Sequence, residues 1–182
     1  MNWIKRAQEE IKKQYESPGL TTYDRPRKTV RTHYSPATVK DIEEVIQERD
    51  LDCTVDEFAN DPNVDWKRVS EYRNLSEDFI REFANKVDWT SISRNQRLSE
   101  DFIREFADKV GWYFISWFQN LSEDFIREFA DEVDWTNISI HHELSEDFIR
   151  EFADKVDWEK ISYHQILSPE FKREMKELGY LY

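Results

Sequence analysis

The sequence predicts an all-α solenoid built from short helical repeats, and three observations carry that prediction. A block of 23 residues recurs, with Leu75, Leu98, Leu121, Leu144 and Leu167 each opening a copy of LSEDFIREFADKVDW or a close variant. The tryptophans keep the same register, at Trp66, Trp89, Trp112, Trp135 and Trp158. The 182 residues include only three Gly and five Pro, too few for a turn-rich all-β sandwich or a glycine-rich phosphate loop. A fixed period of this size signals stacked units, because one short unit cannot bury its apolar face alone. Aromatic residues make up 15% of the chain, which argues against disorder despite the high charge.

The elements follow in order. Residues 1–50 form a basic N-terminal region. Trp3, Ile4, Ala7, Ile11 and Tyr15 make an amphipathic stripe that predicts a helix over 2–15, stopped by Ser17, Pro18 and Gly19. Leu20 to Tyr34 has no helical period and reads as an extended arm. Ser35 and Pro36 supply an N-cap and a first-turn proline for a second helix carried by Val39, Ile42, Val45 and Ile46, ending near Arg49. The two helices are expected to dock as the N-terminal cap of the array. Residues 51–74 form a degenerate first copy, with Asp61 and Pro62 inserted after Asn60.

Residues 75–166 hold four full copies. In the first, Ser76 is an N-cap, and Glu77 and Asp78 favour the positive end of the helix dipole. Phe79, Ile80, Phe83 and Val87 share one face, which predicts a helix from Glu77 to Val87, supported outside by a Glu82–Lys86 pair. Asp88 then caps a shorter α or 3-10 piece through Trp89 and Ile92. Leu75, Phe79, Phe83, Trp89, Ile92 and their counterparts are the expected core. Residues 167–182 close the array as a C-terminal cap, atypical because it has a neighbour on one side only.

The SRNQRLSEDFIREFA phrasing and Asn60-Asp61-Pro62 of the first copy resemble the leucine-rich variant repeat, whose unit pairs an α-helix with a 3-10 helix in a solenoid. The resemblance covers residues 51–182 in pattern. Ser and Glu stand where that family usually has Pro-Pro before the helix, and no cysteine cluster is present, so the iron–sulfur cofactor of one family member is not carried over. The wording of the repeat also resembles tracts in phage and large-virus proteins of unassigned function. The resemblance implies a fold and an origin, and no activity.

Function classes narrow by exclusion. The single cysteine, Cys53, can form no internal disulfide and fits a reducing compartment. No run of about 18 apolar residues occurs, and MNWIKRAQEE lacks a secretory signal, so the expected location is cytoplasmic, of the host cell if the protein is viral, with no membrane contact. The paired carboxylates at Glu77, Glu100, Glu123 and Glu146 repeat one exposed environment, whereas a catalytic carboxylate needs a distinctive one. His141 and His142 are adjacent, and His164 lies one repeat beyond His141, yet a zinc site needs further ligands. No nucleophile elbow, P-loop or HExxH motif occurs. A non-enzymatic protein without cofactor, metal or small-molecule substrate is expected.

The copies disagree most informatively after each tryptophan. Two slots read Thr90-Ser91, Tyr113-Phe114, Thr136-Asn137 and Glu159-Lys160, and two later slots read Arg94-Asn95, Trp117-Phe118, Ile140-His141 and Tyr163-His164. Slots that accept Ser, Asn, Lys and Arg are not deep core, so Tyr113, Phe114, Trp117 and Phe118 are expected at the surface. There, clustered aromatics mark a contact. Asp108, Asp131 and Glu132 are expected to flank them.

Charge divides the chain. Residues 1–40 carry a net +5 and residues 41–182 a net −18. Stacked carboxylates can imitate a nucleic-acid backbone. The leading expectation is therefore a phage or virus accessory factor that blocks a host protein, such as a defence nuclease of the kind anti-CRISPR inhibitors bind, through an acidic and aromatic surface; self-association through it is a further expectation. The rival expectation is nucleic-acid binding by the arm, with Arg25, Arg27, Lys28 and Arg31 on phosphates and Tyr23 or Tyr34 stacking on bases.

Overall fold

Every repeat folds into two short helices separated by a tight turn. The computed structural model describes residues 33–49, 51, 53–72 and 74–181, which belong to one compact unit. Among the described residues there are twelve α-helices and no strand, and no helix is long and apolar enough to cross a membrane. Helix α1 (Pro36–Glu48) starts at Ser35, whose side chain accepts the Thr38 N–H, as the serine–proline pair predicts. The degenerate copy supplies α2 (Val55–Asn60) and α3 (Trp66–Ser70), the former opened by a capping box between Thr54 and Glu57. The four full copies follow as α4 (Glu77–Glu82) and α5 (Trp89–Asn95), α6 (Glu100–Glu105) and α7 (Trp112–Phe118), α8 (Glu123–Glu128) and α9 (Trp135–His141), and α10 (Glu146–Glu151) and α11 (Trp158–His164). Helix α12 (Pro169–Glu177) ends the array. The expected helix over 2–15 and the arm up to residue 32 lie outside the described residues.

The first helix of each copy is shorter than its periodicity predicts. In α4 the helix stops at Glu82, and Phe83 turns the chain at φ −106°, so that the Lys86 and Val87 N–H groups both donate to the Phe83 carbonyl. Val87 still reaches the core, but from a turn. The expected Glu82–Lys86 pair does not form. Lys86 instead donates to the Ala59 carbonyl of the preceding copy at 2.8 Å and sits over the Trp66 ring. The turn is locked by Trp89, whose indole N–H donates to the Ala84 carbonyl at 2.9 Å. The second helix, expected as an α or 3-10 piece shorter than the first, is a seven-residue α-helix and the longer of the two.

Packing joins consecutive copies into one solenoid. Phe79, Phe102, Phe125, Phe148 and Phe171 are fully buried at one register position, and Ile92, Ile115, Ile138 and Ile161 at another. The tryptophans bridge copies: Trp89 packs on Phe102 and Phe106, and Trp135 on Phe148 and Phe152. Two polar ladders run beside this core. Buried Ser93 donates to the Trp89 carbonyl and accepts the Gly111 N–H of the next copy at 2.9 Å, and Ser139 repeats the pattern with Trp135 and Asp157. One turn further on, Gln119 accepts the Leu98 N–H and donates to the Ser93 and Gln96 carbonyls. Gln96 and Gln165 make equivalent rungs. These side chains satisfy loop backbone that a solenoid otherwise leaves unpaired.

The carboxylates at the helix starts also act between copies. Glu77, Glu100, Glu123 and Glu146 each accept the N–H of the next copy's capping serine at 2.6 to 2.7 Å. Asp41 of α1 plays this part for Ser76, at 2.7 Å from its nitrogen and 2.5 Å from its hydroxyl, so α1 docks on the first full copy; the other helix of the expected cap lies outside the described residues. At the other end Gly179 turns the chain at φ +81°, a left-handed conformation that glycine adopts without strain, and Tyr180 stacks on Trp158.

Candidate protein-binding face

The two helices of a copy carry opposite chemistry. Helices α4, α6, α8 and α10 share the sequence EDFIRE, three acids and one arginine each. Helices α5, α7 and α9 contain no acidic residue at all, in a chain with 39 of them. The second helices pack side by side along the array, from α3 through α5, α7, α9 and α11. Their outer residues are basic toward one end at Lys67, Arg68 and Arg94, aromatic at α7, and charged again at Glu159 and Lys160 of α11.

The acidic side is an ion-pair ladder. Arg127 sits 2.7 Å from Asp124 of its own helix and 2.7 Å from Glu151 of the next copy, with its guanidinium over Phe148. Arg81, Arg104 and Arg150 repeat this arrangement. The hydrogen bond to the next copy's glutamate holds each arginine's pKa above its ordinary value, and Arg150 holds Glu174 below the usual carboxylate range. Every rung thus places a cation among its carboxylates.

The apolar face is centred on α7. Tyr113, Trp117 and Phe118 are 48%, 40% and 47% exposed, as their slots predict. Trp117 and Phe118 lie at an interplanar angle of 3°, and Trp117 stacks on His141 of the next copy at 5.3 Å. Phe114 departs from expectation. It is half-buried, and the sister residues in its slot, Ser91 and Asn137, are buried. This slot faces the neighbouring copy, where the Asn137 amide donates toward the Tyr113 carbonyl. Phe114 therefore supports the patch from beneath, at 16° to Phe118, while the other three rings present it.

Helix α7 is also the one full-copy second helix without a side-chain cap. Asp88, Asp134 and Asp157 each accept an N–H in the first turn of their helix, and their counterpart is Gly111. A Cβ at Gly111 would lie 3.2 Å from Phe114 Cδ2, closer than ordinary van der Waals contact.

The three acids expected to flank the aromatics lie in the turns after the acidic helices and make no hydrogen bond, ion pair or ring contact with them. Asp131 pairs with Lys155 at 2.5 Å, which lowers its pKa. At the next slot Glu132 stands where sister copies have Lys86, Lys109 and Lys155, and neither its side chain nor that of Asp108 has a partner among the described residues. Of the rival set, Tyr23, Arg25, Arg27, Lys28 and Arg31 lie outside the described residues. Tyr34 is described and packs on Phe83 at 5.7 Å, with burial, Asp56 and Glu82 raising its pKa; its ring is engaged by the array.

His141, stacked on Trp117, and Tyr163 join the residues that the sequence marks for this face. Tyr163 is 80% exposed and occupies the Trp117 slot two copies on, a register that the repeat alignment already contained. Among the described residues no group of His, Cys, Asp and Glu could hold a metal; His141 faces Trp117 rather than His164. No family model, no curated protein and no solved structure matches the chain. The fold defines a helical-repeat solenoid, and the likeness to the leucine-rich variant repeat rests on wording alone.

Proposed function

We propose that this chain is a non-enzymatic binding protein whose contact surface is the outer side of the acid-free helices α5, α7 and α9, centred on Tyr113, Trp117 and Phe118, and whose partner is another protein. The observation that carries this reading is the exchange in the copy from 98 to 120. It alone among the full copies lacks a capping aspartate, and the glycine in its place leaves room for the ring that supports an exposed aromatic patch. A cap is worth about 1 kcal/mol, and exposed aromatics reduce solubility, so architecture alone favours neither change. Tyrosine and tryptophan are preferred anchors at protein interfaces.

The contact belongs on this face rather than on the carboxylate ridge, because an arginine in every rung interrupts the run of negative charge that mimicry of nucleic acid requires. In its most specific form the partner is a host protein such as a defence nuclease, and that detail rests only on the likeness to phage and large-virus wording.

The test restores the first copy's residues in the second, as Gly111→Asp, Tyr113→Thr, Phe114→Ser, Trp117→Arg and Phe118→Asn together. Helix content and melting should stay near those of the parent, while proteins captured from a bacterial lysate by the parent should bind the variant at least tenfold more weakly, about 1.4 kcal/mol. Equal capture by both would place the interface elsewhere. Loss of concentration-dependent self-association in the variant, without any captured protein, would make the partner a second copy. Salt-sensitive binding to nucleic acid that vanishes on deleting residues 20–34 would favour the rival reading.

A further inference from the structure

The arginines of the two helix layers live in different surroundings. Arg81, Arg104, Arg127 and Arg150, on the first helices, each pair with a carboxylate of their own copy and one of the next. Arg94, near the end of α5, and Arg97, just after it, are exposed, and neither side chain makes a hydrogen bond or ion pair among the described residues. Arg94 also fills, one copy earlier, the slot that Trp117 fills in α7, and α5 and α7 pack side by side. An unpaired charge and an exposed indole thus hold the same register position on successive copies.

A partner that covers the aromatic patch reaches these arginines. A stable interface takes roughly 800 Å² from each side, and packed helices lie about 8 to 10 Å apart, so a footprint centred on α7 extends over α5 and α9. The two flanks differ. Helix α9 contributes no lysine, arginine or acid, and exposes Thr136 and His141. Helix α5 contributes Arg94 together with the exposed Thr90 and Asn95, whose side chains can donate hydrogen bonds.

Covering a guanidinium without giving it an anion strips its hydration and returns nothing. The chain itself gives Arg94 no such anion. Arg94 borders an open groove between α3 and α5 that also takes in Lys67, Thr90 and Asn95, and whose acids are Glu71 and Asp88. Asp88 is engaged in capping α5 through the Ser91 N–H, with Lys67 acting on it by charge, and neither acid bonds Arg94. The groove leaves room for an incoming side chain to reach the guanidinium from that side.

We propose that the partner of this face is a protein segment that is acidic where it crosses α5, with carboxylates on Arg94 and Arg97, and apolar where it seats on Trp117 and Phe118. The inference rests on the function proposed above and adds the sign of the partner's charge. That sign is opposite to the one suggested by the chain's net charge of −13, because the EDFIRE helices keep their acids on the other layer. A nucleic-acid strand fits less well. It carries negative charge through its whole length, whereas α7 and α9 offer it no lysine or arginine.

The experiment pans short displayed peptides against the folded parent, with counter-selection on the five-residue variant of the α7 copy described above. Retained peptides are then measured on the parent, on Arg94→Gln with Arg97→Gln, and on Arg94→Lys with Arg97→Lys. Both arginines are exposed and unpaired, so the two double variants should melt with the parent. Retained peptides should combine Trp, Phe or Leu with Asp or Glu, bind the glutamine variant at least about tenfold more weakly, and recover most of that loss on the lysine variant. Their composition is read on the parent alone and depends on neither variant. Retained peptides without net negative charge, or acidic ones that bind the glutamine variant as well as the parent, would overturn the proposal and leave the face in place. If no peptide distinguishes the parent from the α7 variant, the face itself falls and the proposal with it. Single-stranded oligothymidylate that binds the parent and is lost in both the α7 and the glutamine variants would assign the arginines to phosphates, which also overturns it.

Discussion

The ring of Phe114 occupies the space that a side chain at position 111 would need, with Cδ2 3.2 Å from the place of a Cβ. Three sister copies have a capping aspartate there and a small or flexible residue at the Phe114 slot, Ser91, Asn137 or Lys160. The one full copy with a ring in that slot is the one without the cap.

This relationship predicts non-additivity. In a Phe114→Ser background, Gly111→Asp should stabilise by about 1 kcal/mol through the restored cap. With Phe114 present the same change should give no gain or a loss, a coupling of about 1 kcal/mol in a double-mutant cycle read by denaturant melts. Equal gains in both backgrounds would show that the ring does not govern position 111. The gain should also depend on pH. Hydrogen bonds from Ser91 hold the equivalent Asp88 below its usual pKa, so such a cap contributes above the unfolded carboxylate value and fades as pH falls through the folded one.

Trp135→Ala tests the bridges between copies. The indole is half-buried, 4.9 Å from the Phe152 ring and 6.2 Å from Phe148, and donates to the Ala130 carbonyl. Its loss should destabilise by about 3 to 5 kcal/mol. Near-parental melting would show that the tryptophans do not carry the stacking.

The serine ladder offers a paired comparison. Ser139→Ala leaves the Asp157 N–H without its acceptor at a buried site and should cost about 1 to 3 kcal/mol. Ser162, the next serine in register, is exposed and bonds only the Glu159 carbonyl of its own helix, so Ser162→Ala should fall within about 0.5 kcal/mol of the parent. Similar effects at both sites would mean that the hydroxyl's reach into the next copy is unimportant.

The sequence by itself determined the period, the capping serines, the buried Phe and Ile positions and the exposure of Tyr113, Trp117 and Phe118, because each follows from local spacing or from comparing copies. It also contained His142 in the Gln96, Gln119, Gln165 register, but only as an exception in a column whose role was unknown. The tertiary structure decided what spacing along one helix cannot encode. It ended the first helix at Glu82, because the Trp89 indole caps a turn that a longer helix would erase, and it carried Lys86 away from Glu82 to the preceding copy. It turned the capping glutamates and the arginines into bonds between copies, buried the Phe114 slot, and separated Asp108, Asp131 and Glu132 from the aromatic helix. The turn is closed within its own copy, but the partners of Lys86, the helix-start glutamates and the arginines lie about one repeat away in sequence and adjacent in space, and only the stacking of copies brings them together.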